Sequence, residues 1–449
     1  MHLTVREYGH IGVSGDSQGL DYVSVPQKLF DHLKELALKT SDQEKSLLRP
    51  SKYGSMESLQ VLNYVGILGI DDKTQLEILP KTTSDQQSLI DTRALLWKML
   101  QVVSNVTPQE TTETSLHTLP NSWLESLTRV VLKKITFLVR SGIKRDYVRR
   151  EEHSSFLKGQ LQLAKQMRAR PGTEHKFHIS YDQYLTDRAE NRLLKSTLQT
   201  LNRWTTQLDN KRLCRELLFV FDEVPESTST DSDLGQWRND RGMAYYQPLL
   251  PWIKLILNEQ SPVFSKGSHH GISLLFPMEK LFEEYVFRIL RRDLQYGFRL
   301  KTQASSEHLL SHKGKGLFKL KPDGLITKNG IRYAVLDTKW KLLDASLSNS
   351  KDKYKLSQAD FYQMFAYGMK YLAGSGELFL IYPSHQKFQV PLEYFEFNRE
   401  LRLWALPFDL QSGELAYNLG TPLTEWYSGQ AISFERTNSV LEGAGNGTF

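Results

Sequence analysis

Two short stretches decide the fold, Leu320-Lys321-Pro322-Asp323-Gly324 and Leu336-Asp337-Thr338-Lys339-Trp340. The second follows the apolar run Tyr333-Ala334-Val335, which predicts a β-strand. Side chains two residues apart in a strand point to the same face of the sheet. Asp337 and Lys339 therefore share a face at the end of a strand, where a metal site can form.

Whether Asp323 reaches that face depends on the turn between the two stretches, where Asn329-Gly330 is a hairpin signal. A two-residue turn would point Asp323 and Asp337 to opposite faces. A three-residue loop, starting one residue earlier and ending on a left-handed glycine, would place Asp323 opposite Val335 and diagonal to Asp337. We predict the three-residue loop, or a bulge with the same effect.

The chemistry of these side chains predicts a magnesium site. Asp323 and Asp337 would supply two oxygen ligands, which suit Mg²⁺ because this ion keeps several waters and binds substrate phosphates; Mn²⁺ is possible at the same site. Lys339 would orient or activate a water, or stabilise the charge on a phosphate under attack. We expect phosphodiester hydrolysis. The structural alternative is a turn aspartate beside Pro322 and an exposed ion pair at the strand end.

The order Pro-Asp, spacer, Asp-x-Lys resembles the PD-(D/E)xK nuclease superfamily, and a second motif supports the resemblance. Ser357 and Asp360 predict a helix that starts with a capping box. Gln363 and Tyr367, four residues apart, share one face of that helix. This Gln-x-x-x-Tyr looks like the third motif of RecB-type nucleases, which implies that the two side chains position substrate or the lysine. The alternative is an amphipathic helix whose aromatics belong to the core.

A helix ahead of the hairpin, over 276–294, carries a further candidate. Apolar residues recur there with helical spacing, and Glu279 and Glu283 lie four residues apart. In the superfamily that the chain resembles, a carboxylate from the first helix often joins the metal shell. Glu283 is our candidate for that ligand, and a solvated glutamate is the alternative.

Composition limits the class of protein. The chain has 449 residues, 40% hydrophobic and 24% charged, with no apolar run near the ~20 residues that a membrane span needs. Residues 1–7 lack the apolar region of a signal peptide, so we expect a cytoplasmic protein. Cys214 is the only cysteine. An internal disulfide, an iron–sulfur cluster with about four thiolates and a cysteine-based zinc site are therefore excluded.

A basic stretch lies in the middle of the chain. Nine Lys and Arg residues stand against four acids between 142 and 176, whereas the whole chain has a net charge of only +6. Such a stretch, with aromatic residues interleaved, can follow a phosphate backbone. A solvated helical face is the alternative. The predicted contacts with double-stranded DNA are Lys144, Arg145, Arg149, Arg150 and Lys158.

The alternation of strand and helix patterns predicts an α+β protein of several domains. One helix is expected near 26–39, and polar loops are expected at 107–114 and 225–233. The predicted parts are a β-rich N-terminal domain over 1–85, a helical middle region over 86–258 that includes the basic stretch, an α/β domain of PD-(D/E)xK type with a mixed central sheet over 259–435, and a flexible tail over 436–449.

At the scale of the whole chain, the sequence resembles the McrC family, the nuclease subunits of McrBC-type modification-dependent restriction systems. The resemblance implies a partner, a McrB-type AAA+ protein that hydrolyses GTP, reads modified DNA and is bound through residues 1–85. The chain itself has no Gly-x-x-x-x-Gly-Lys-Ser/Thr loop, so we expect it to bind no nucleotide. Besides the nuclease motifs, the resemblance rests on Arg6-Glu7-Tyr8-Gly9, Leu76 to Lys81, Gly142 to Tyr147, Lys158 to Leu161, Tyr181-Asp182, Asp187, Glu190 to Lys195, Met278 and Leu281 to Glu283.

The predicted function is thus a Mg²⁺-dependent DNA endonuclease subunit that cleaves modified DNA, with methylation as the expected modification. It would act with the AAA+ partner and stimulate its GTPase. Two alternatives stay open: a non-catalytic scaffold that activates an AAA+ ring and keeps an idle nuclease fold, and a stand-alone DNA-repair nuclease. The resemblance implies that the partner, rather than this chain, reads the modified base.

Overall fold

The computed structural model describes residues 2–13, 19–40, 46–71, 74–82, 89–103, 123–168, 172, 175–258, 273–349, 351–417 and 421–429. Within these ranges, no helix combines the length and the apolar character that crossing a membrane requires. The predicted loop at 107–114 and the predicted tail at 436–449 lie outside the described residues.

The N-terminal part is made mainly of strands, as predicted, and the helix expected near 26–39 is present. Its elements are β1 (His2–Arg6), β2 (His10–Gly12), β3 (Tyr22–Ser24), α1 (Gln27–Thr40), β4 (Leu48–Tyr53), β5 (Met56–Val61), β6 (Tyr64–Asp71) and β7 (Thr74–Leu79). One sheet has the order β3-β2-β5-β4, and a second contains β1, β7 and β6. Both enclose a core that includes Phe30, Leu59 and Ile78.

The middle part is mostly helical. Its elements are α2 (Leu89–Val103), α3 (Trp123–Ser141), β8 (Asp146–Ser154), β9 (Gln160–Leu161), α4 (Leu163–Gln166), β10 (Phe177–Leu185), α5 (Ala189–Trp204), α6 (Leu208–Val220), α7 (Thr230–Gly235) and α8 (Leu250–Asn258). Helices α2, α3, α5, α6 and α8 pack around one apolar core, to which Leu132, Leu198 and Trp252 belong.

Two predictions for the middle part are wrong. The stretch over 86–258 is not helical throughout, because β8, β10 and β9 form a three-stranded antiparallel sheet. Strand β8 is charged and exposed along almost its whole length, so no alternation of apolar residues marks it. The predicted loop at 225–233 contains the start of α7, where the Ser229 hydroxyl accepts a hydrogen bond from the backbone N–H of Ser232.

The C-terminal part carries a mixed sheet. Its elements are β11 (Ser273–Pro277), α9 (Met278–Arg292), β12 (Phe298–Thr302), β13 (His308–His312), β14 (Lys315–Lys319), β15 (Gly324–Lys328), β16 (Ile331–Thr338), α10 (Gln358–Tyr371), β17 (Gly376–Pro383), β18 (Phe395–Glu396), β19 (Leu401–Asp409) and β20 (Glu414–Leu415). The sheet order is β12-β15-β16-β17-β19-β18, with β20 also beside β19. Strands β16, β17 and β19 run parallel, while β12, β15, β18 and β20 pair antiparallel with their neighbours.

Helix α10 begins where the sequence predicts, but it has no capping box. Ser357 occupies the N-cap position, and its side chain makes no capping hydrogen bond. The Asp360 side chain does not bond back to the N-cap residue; its Oδ2 accepts a hydrogen bond from Lys341 Nζ at 2.8 Å. The first turn is closed by the backbone N–H of Asp360, which donates to the carbonyl of Ser357.

The N-terminal and C-terminal parts share a sheet. Strand β11 pairs antiparallel with β6, which gives the order β1-β7-β6-β11. Strand β11 therefore belongs to the N-terminal sheet although it lies within 259–435, and helix α9 starts directly after it. A mixed α/β architecture is confirmed, while the predicted domain boundaries stay predictions.

Gly66, at the junction of β6 and β11, should be sensitive to substitution. Its φ is +129°, and a Cβ would lie 2.1 Å from the Leu274 carbonyl oxygen. We expect Gly66→Ala to lower the free energy of unfolding by about 2 kcal/mol or more, because backbone strain and the clash add. Gly54→Ala is the matched control, since Gly54 also has positive φ but open space around it, and it should cost about 1 kcal/mol. Equal losses in denaturant unfolding would contradict the role of the β6–β11 junction.

Candidate active site

The hairpin of β15 and β16 brings the two aspartates onto one face, but not through the predicted loop. The turn consists of Asn329 and Gly330 alone, both with positive φ (51° and 85°), which is the two-residue geometry that Asn-Gly favours. A bulge follows, because Ile326 pairs with Ala334 while Thr327 pairs with Arg332. The three-residue loop is therefore wrong, and the bulge that was the alternative is present.

The bulge decides where Asp323 lies. The last ladder pair is Gly324 with Leu336, so the register carries Asp323 across from Asp337 rather than from Val335. Residues directly opposite each other in an antiparallel pair share one face. The predicted common face thus results from one extra residue in β16.

Asp323 is fixed by the end of the neighbouring strand. Its Oδ2 accepts hydrogen bonds from the backbone N–H and the hydroxyl of Thr338, both at 2.9 Å, and its backbone carbonyl accepts one from the N–H of Gln303. Oδ1 accepts none from the described residues. Burial raises the pKa of Asp323, although the bonds from Thr338 and the charge of Lys339 oppose the rise. One oxygen of this carboxylate is thus held while the other is available.

Asp337 is a buried carboxylate in an unfavourable place, with only 1% of its surface exposed. Burial, followed by the negative charge of Asp323, raises the pKa of Asp337 to about 7, even though Lys339 opposes the rise. The Lys339 ammonium lies 2.5 Å from Asp337 Oδ2, but this oxygen has no partner with hydrogen-bond geometry. A buried acid that faces a second acid is costly for the fold, which is typical of functional sites.

Lys339 is held by a chain of side chains from α10. Its Nζ donates to Gln363 Oε1 at 3.0 Å, Gln363 Nε2 donates to the Tyr367 hydroxyl at 2.8 Å, and that hydroxyl donates to the Lys321 carbonyl at 3.0 Å. Burial lowers the pKa of Lys339, but the Asp337 carboxylate outweighs it and the net shift is upward. The structure therefore brings Gln363 and Tyr367 together with Lys339.

Glu283 reaches the site from α9. Its Oε1 accepts a hydrogen bond from Gln303 Nε2 at 2.5 Å, and burial, followed by the charge of Asp323, raises the pKa of Glu283 to about 7. Helix α9 can come this close because Gly324 has no side chain: a Cβ there would lie 2.5 Å from Phe287. The glycine after Pro-Asp thus makes room for the helix that carries Glu283.

The donor chemistry of these carboxylates fits a hard divalent cation. Asp323 offers a free oxygen, Asp337 faces it, and the mutual repulsion of the two carboxylates is of the kind that a cation relieves. As the side chains stand, no three His, Cys, Asp or Glu groups among the described residues are arranged to hold an ion. Lys339 lies against the Asp337 oxygen that would serve as a ligand, so ion binding requires this ammonium to move.

Three contacts at the site were not predicted from sequence. Thr338 lies between Asp337 and Lys339, and strand alternation predicts that its side chain points to the opposite face. It nevertheless donates two hydrogen bonds to Asp323, because β16 ends at this residue. Gln303 has a left-handed backbone (φ 50°) and bridges Glu283 and the Asp323 carbonyl. No local motif predicts either contact.

The third contact joins the N-terminal strands to the hairpin. Trp340 Nε1 donates to Glu7 Oε2 at 2.9 Å, and the backbone N–H of Lys81 donates to the same carboxylate oxygen at 3.0 Å. Lys81 Nζ donates to the Trp340 carbonyl at 2.5 Å. On its other side, the Trp340 ring packs on Phe282, with centroids 5.2 Å apart. We refer to Glu7, Lys81 and Trp340 as the Trp340 clamp.

The Trp340 clamp should make stability depend on pH. Burial raises the pKa of Glu7 from 4.5 to about 7, and Lys81 opposes the rise only in part. Because the folded pKa lies above the unfolded one, this contribution to stability is complete below 4.5 and is lost as pH rises through about 7. Glu7→Gln should therefore lose less stability than the unaltered chain between about pH 5 and pH 8 in denaturant unfolding. Parallel pH profiles would show that Glu7 is ionised in the fold.

The predicted DNA contacts lie in and beside the β8–β10 sheet. Arg149 donates to Gln160 Oε1 and Ser180 Oγ, and Lys158 lies 3.9 Å from the centroid of the Tyr181 ring. These residues line a cavity of about 440 Å³. The backbone of Lys144 is bonded to Tyr246 and Asn191. Arg149 and Arg150 lie in strand β8 rather than on a helical face, and the role of the stretch in DNA binding stays a prediction.

Comparison with known proteins gives consistent matches. A family model described as McrBC 5-methylcytosine restriction system component matches residues 59–383. A curated relative, the Type IV methyl-directed restriction enzyme EcoKMcrBC of Escherichia coli (strain K12), is 23% identical over 289 residues, which cover 61% of this chain and 81% of the relative.

A solved structure has a similar fold. It is described as the refined half-complex from the tetradecameric assembly of Thermococcus gammatolerans McrB AAA+ hexamers with bound McrC. The TM-score is 0.63 at 19% sequence identity, and the match covers 91% of this chain and 95% of that chain. At this identity the likeness concerns the fold alone.

Proposed function

Since the chain belongs to the family of McrBC 5-methylcytosine restriction system components, as its resemblance to McrC predicts, we propose that it is the DNA endonuclease subunit of such a system. The observation that carries the proposal is the convergence of Asp323, Asp337, Lys339 and Gln363 at the end of the β15–β16 hairpin. Two facing acids can hold a divalent ion, and the lysine beside them can act on the water or the phosphate in metal-assisted phosphodiester hydrolysis.

Each side chain has a role in the proposed reaction. Asp323 and Asp337 would hold Mg²⁺, or Mn²⁺, and Glu283 would complete the shell. The bound ion supplies Lewis acidity toward a phosphate oxygen and lowers the pKa of a bound water. Lys339 would orient that water or stabilise negative charge on the phosphate, while Gln363 and Tyr367 fix the position of its ammonium group. The substrate would be duplex DNA that carries a modified base.

The proposed partner is a McrB-type AAA+ GTPase, because the related McrC is described as bound to McrB AAA+ hexamers. Docking would use the strand-rich part over 1–85, and GTP hydrolysis by the partner would be stimulated. The test is reconstitution of the chain with such a partner, GTP and Mg²⁺ on methylated and unmethylated duplexes. Cleavage of the methylated duplex that needs both proteins supports the proposal, whereas cleavage by this chain alone identifies a stand-alone nuclease.

Metal binding by this chain can be measured without the partner. We expect the full chain to bind Mn²⁺, as measured by electron paramagnetic resonance of the free ion. Asp337→Asn should lose that binding because one of the proposed carboxylate ligands is gone. EDTA should abolish cleavage, and added Mg²⁺ should restore it.

The observed Lys339–Asp337 pair favours a second candidate, a scaffold with an idle nuclease fold. Equal Mn²⁺ binding by both proteins, or none by either, would support that scaffold.

A further inference from the structure

A two-stranded ribbon projects from the C-terminal part next to the candidate active site. Among the described strands, β13 and β14 pair only with each other, from His308 with Lys319 to His312 with Lys315. The two residues of the turn, Lys313 and Gly314, both have positive φ (49° and 76°), which matches the twist of a tight hairpin. We refer to residues 308–319 as the β13–β14 ribbon.

The ribbon exposes both of its faces. Every residue from Leu309 to Lys319 is exposed, including the large apolar side chains of Leu309, Leu310, Leu317 and Phe318, the last with 69% of its surface accessible. Strand β13 contacts helix α10, but a two-stranded hairpin with so much exposed surface is only marginally stable in water. Contiguous exposed apolar side chains are typical of a surface that binds another molecule.

The charge of the ribbon indicates what that molecule is. Lys313, Lys315, Lys319 and the following Lys321 are basic, and no Asp or Glu occurs between 308 and 322. None of these four lysine side chains forms an ion pair or hydrogen bond with a described residue. Unpaired lysines without neighbouring acids complement a polyanion.

The base of the ribbon is part of the site. The Leu320 N–H donates to the Glu307 carbonyl at 2.9 Å, and the Tyr371 hydroxyl donates to the Leu320 carbonyl at 3.0 Å. The carbonyl of the next residue, Lys321, accepts a hydrogen bond from the Tyr367 hydroxyl. That hydroxyl in turn accepts one from Gln363, which also binds Lys339. The base of the ribbon is thus anchored by hydrogen bonds at Leu320 and Lys321, and Asp323 follows two residues after Lys321.

We propose that the β13–β14 ribbon is a DNA-binding arm that enters a groove of the duplex to be cut. A two-stranded ribbon fits the major groove, which is about 12 Å wide. Lys313, Lys315 and Lys319 contact phosphates, and Phe318 contacts sugar or base edges. This inference rests on the proposed nuclease function, and it adds how the duplex would be held next to Asp323.

The experiment measures binding of a fluorescent duplex to the full chain by anisotropy, without divalent metal and over a range of salt concentrations. Three lysines of the ribbon are replaced together, as Lys313→Gln, Lys315→Gln and Lys319→Gln. The matched control removes three exposed cations from helices, as Lys133→Gln, Arg215→Gln and Lys254→Gln. Both proteins lose the same net charge.

We expect the ribbon variant to bind at least about 10-fold more weakly at low salt, with the slope of log affinity against log salt reduced by about 2 to 3, because each phosphate contact contributes about 0.9. The control should keep affinity and slope. Phe318→Ala should weaken binding without changing the slope, because it removes no charge.

Two results would contradict the proposal that the ribbon binds DNA. The first is that the unaltered chain binds the duplex no more tightly than the ribbon variant does. The other is a variant that changes the mass of the protein in sedimentation and leaves DNA affinity unchanged, since the ribbon would then join two copies of the chain. Failure of the nuclease function is distinguishable: the unaltered protein would bind DNA through the ribbon and cut none with its partner and Mg²⁺.

Discussion

Asp337→Asn is expected to abolish DNA cleavage by the reconstituted system. Loss of about 4 kcal/mol of transition-state stabilisation corresponds to about 10³-fold in rate, and removing a proposed metal ligand should cost at least that much. The measurement is single-turnover cleavage of a methylated duplex at saturating partner, GTP and Mg²⁺. Thermal unfolding of the metal-free variant should not occur at a lower temperature, because the substitution removes a buried charge that faces Asp323.

Asp344→Asn is the matched control for Asp337→Asn. Asp344 is also buried and also pairs with a lysine, Lys387, at 3.0 Å. Its surroundings differ, since bonds from Ser346 and Lys387 hold the pKa of Asp344 at about 2. We expect this variant to lose stability and keep its cleavage rate. Comparable losses of cleavage in both variants would mean that the effect at Asp337 is structural.

Lys339→Met should reduce cleavage by about 10²-fold, the usual cost of one group that stabilises charge in a transition state. Methionine keeps most of the buried volume of the lysine stem but removes the ammonium that contacts Asp337 and Gln363. The same single-turnover assay measures the effect, and Mn²⁺ binding should be retained or strengthened because the ammonium no longer competes for Asp337 Oδ2.

Lys387→Met provides the comparison for this second prediction. It breaks the Asp344 pair and leaves the β15–β16 hairpin intact, so the cleavage rate should stay near that of the unaltered protein. A Lys339→Met protein that cuts at the full rate would remove the lysine from the proposed mechanism. Loss of Mn²⁺ binding in that variant would assign Lys339 to the architecture of the site instead.

Local sequence predicted the part of the site that depends on local geometry. The shared face of Asp337 and Lys339 follows from strand alternation, and the pairing of Gln363 with Tyr367 follows from helical spacing. The register of the hairpin was harder, because Asn-Gly specifies the turn but not the bulge in β16. The bulge is a property of the sheet, and no residue type in 331–338 marks it.

The sequence was least informative where contacts span the chain or where strands are exposed. Glu7 and Trp340 are 333 positions apart, so nothing near either residue predicts their hydrogen bond. Strand β8 and the β13–β14 ribbon escaped prediction for the opposite reason: their surfaces are in solvent, so burial leaves no period of apolar residues to detect.

The Trp340 clamp has a mechanical consequence. Glu7 and Lys81 hold the residue next to Lys339 from both its ring and its backbone, and β11 extends a sheet of the N-terminal strands directly into α9, the helix of Glu283. The strand-rich end cannot rotate against the hairpin without breaking these bonds. A molecule that binds the N-terminal strands would therefore also fix the orientation of the acidic side chains of the candidate site.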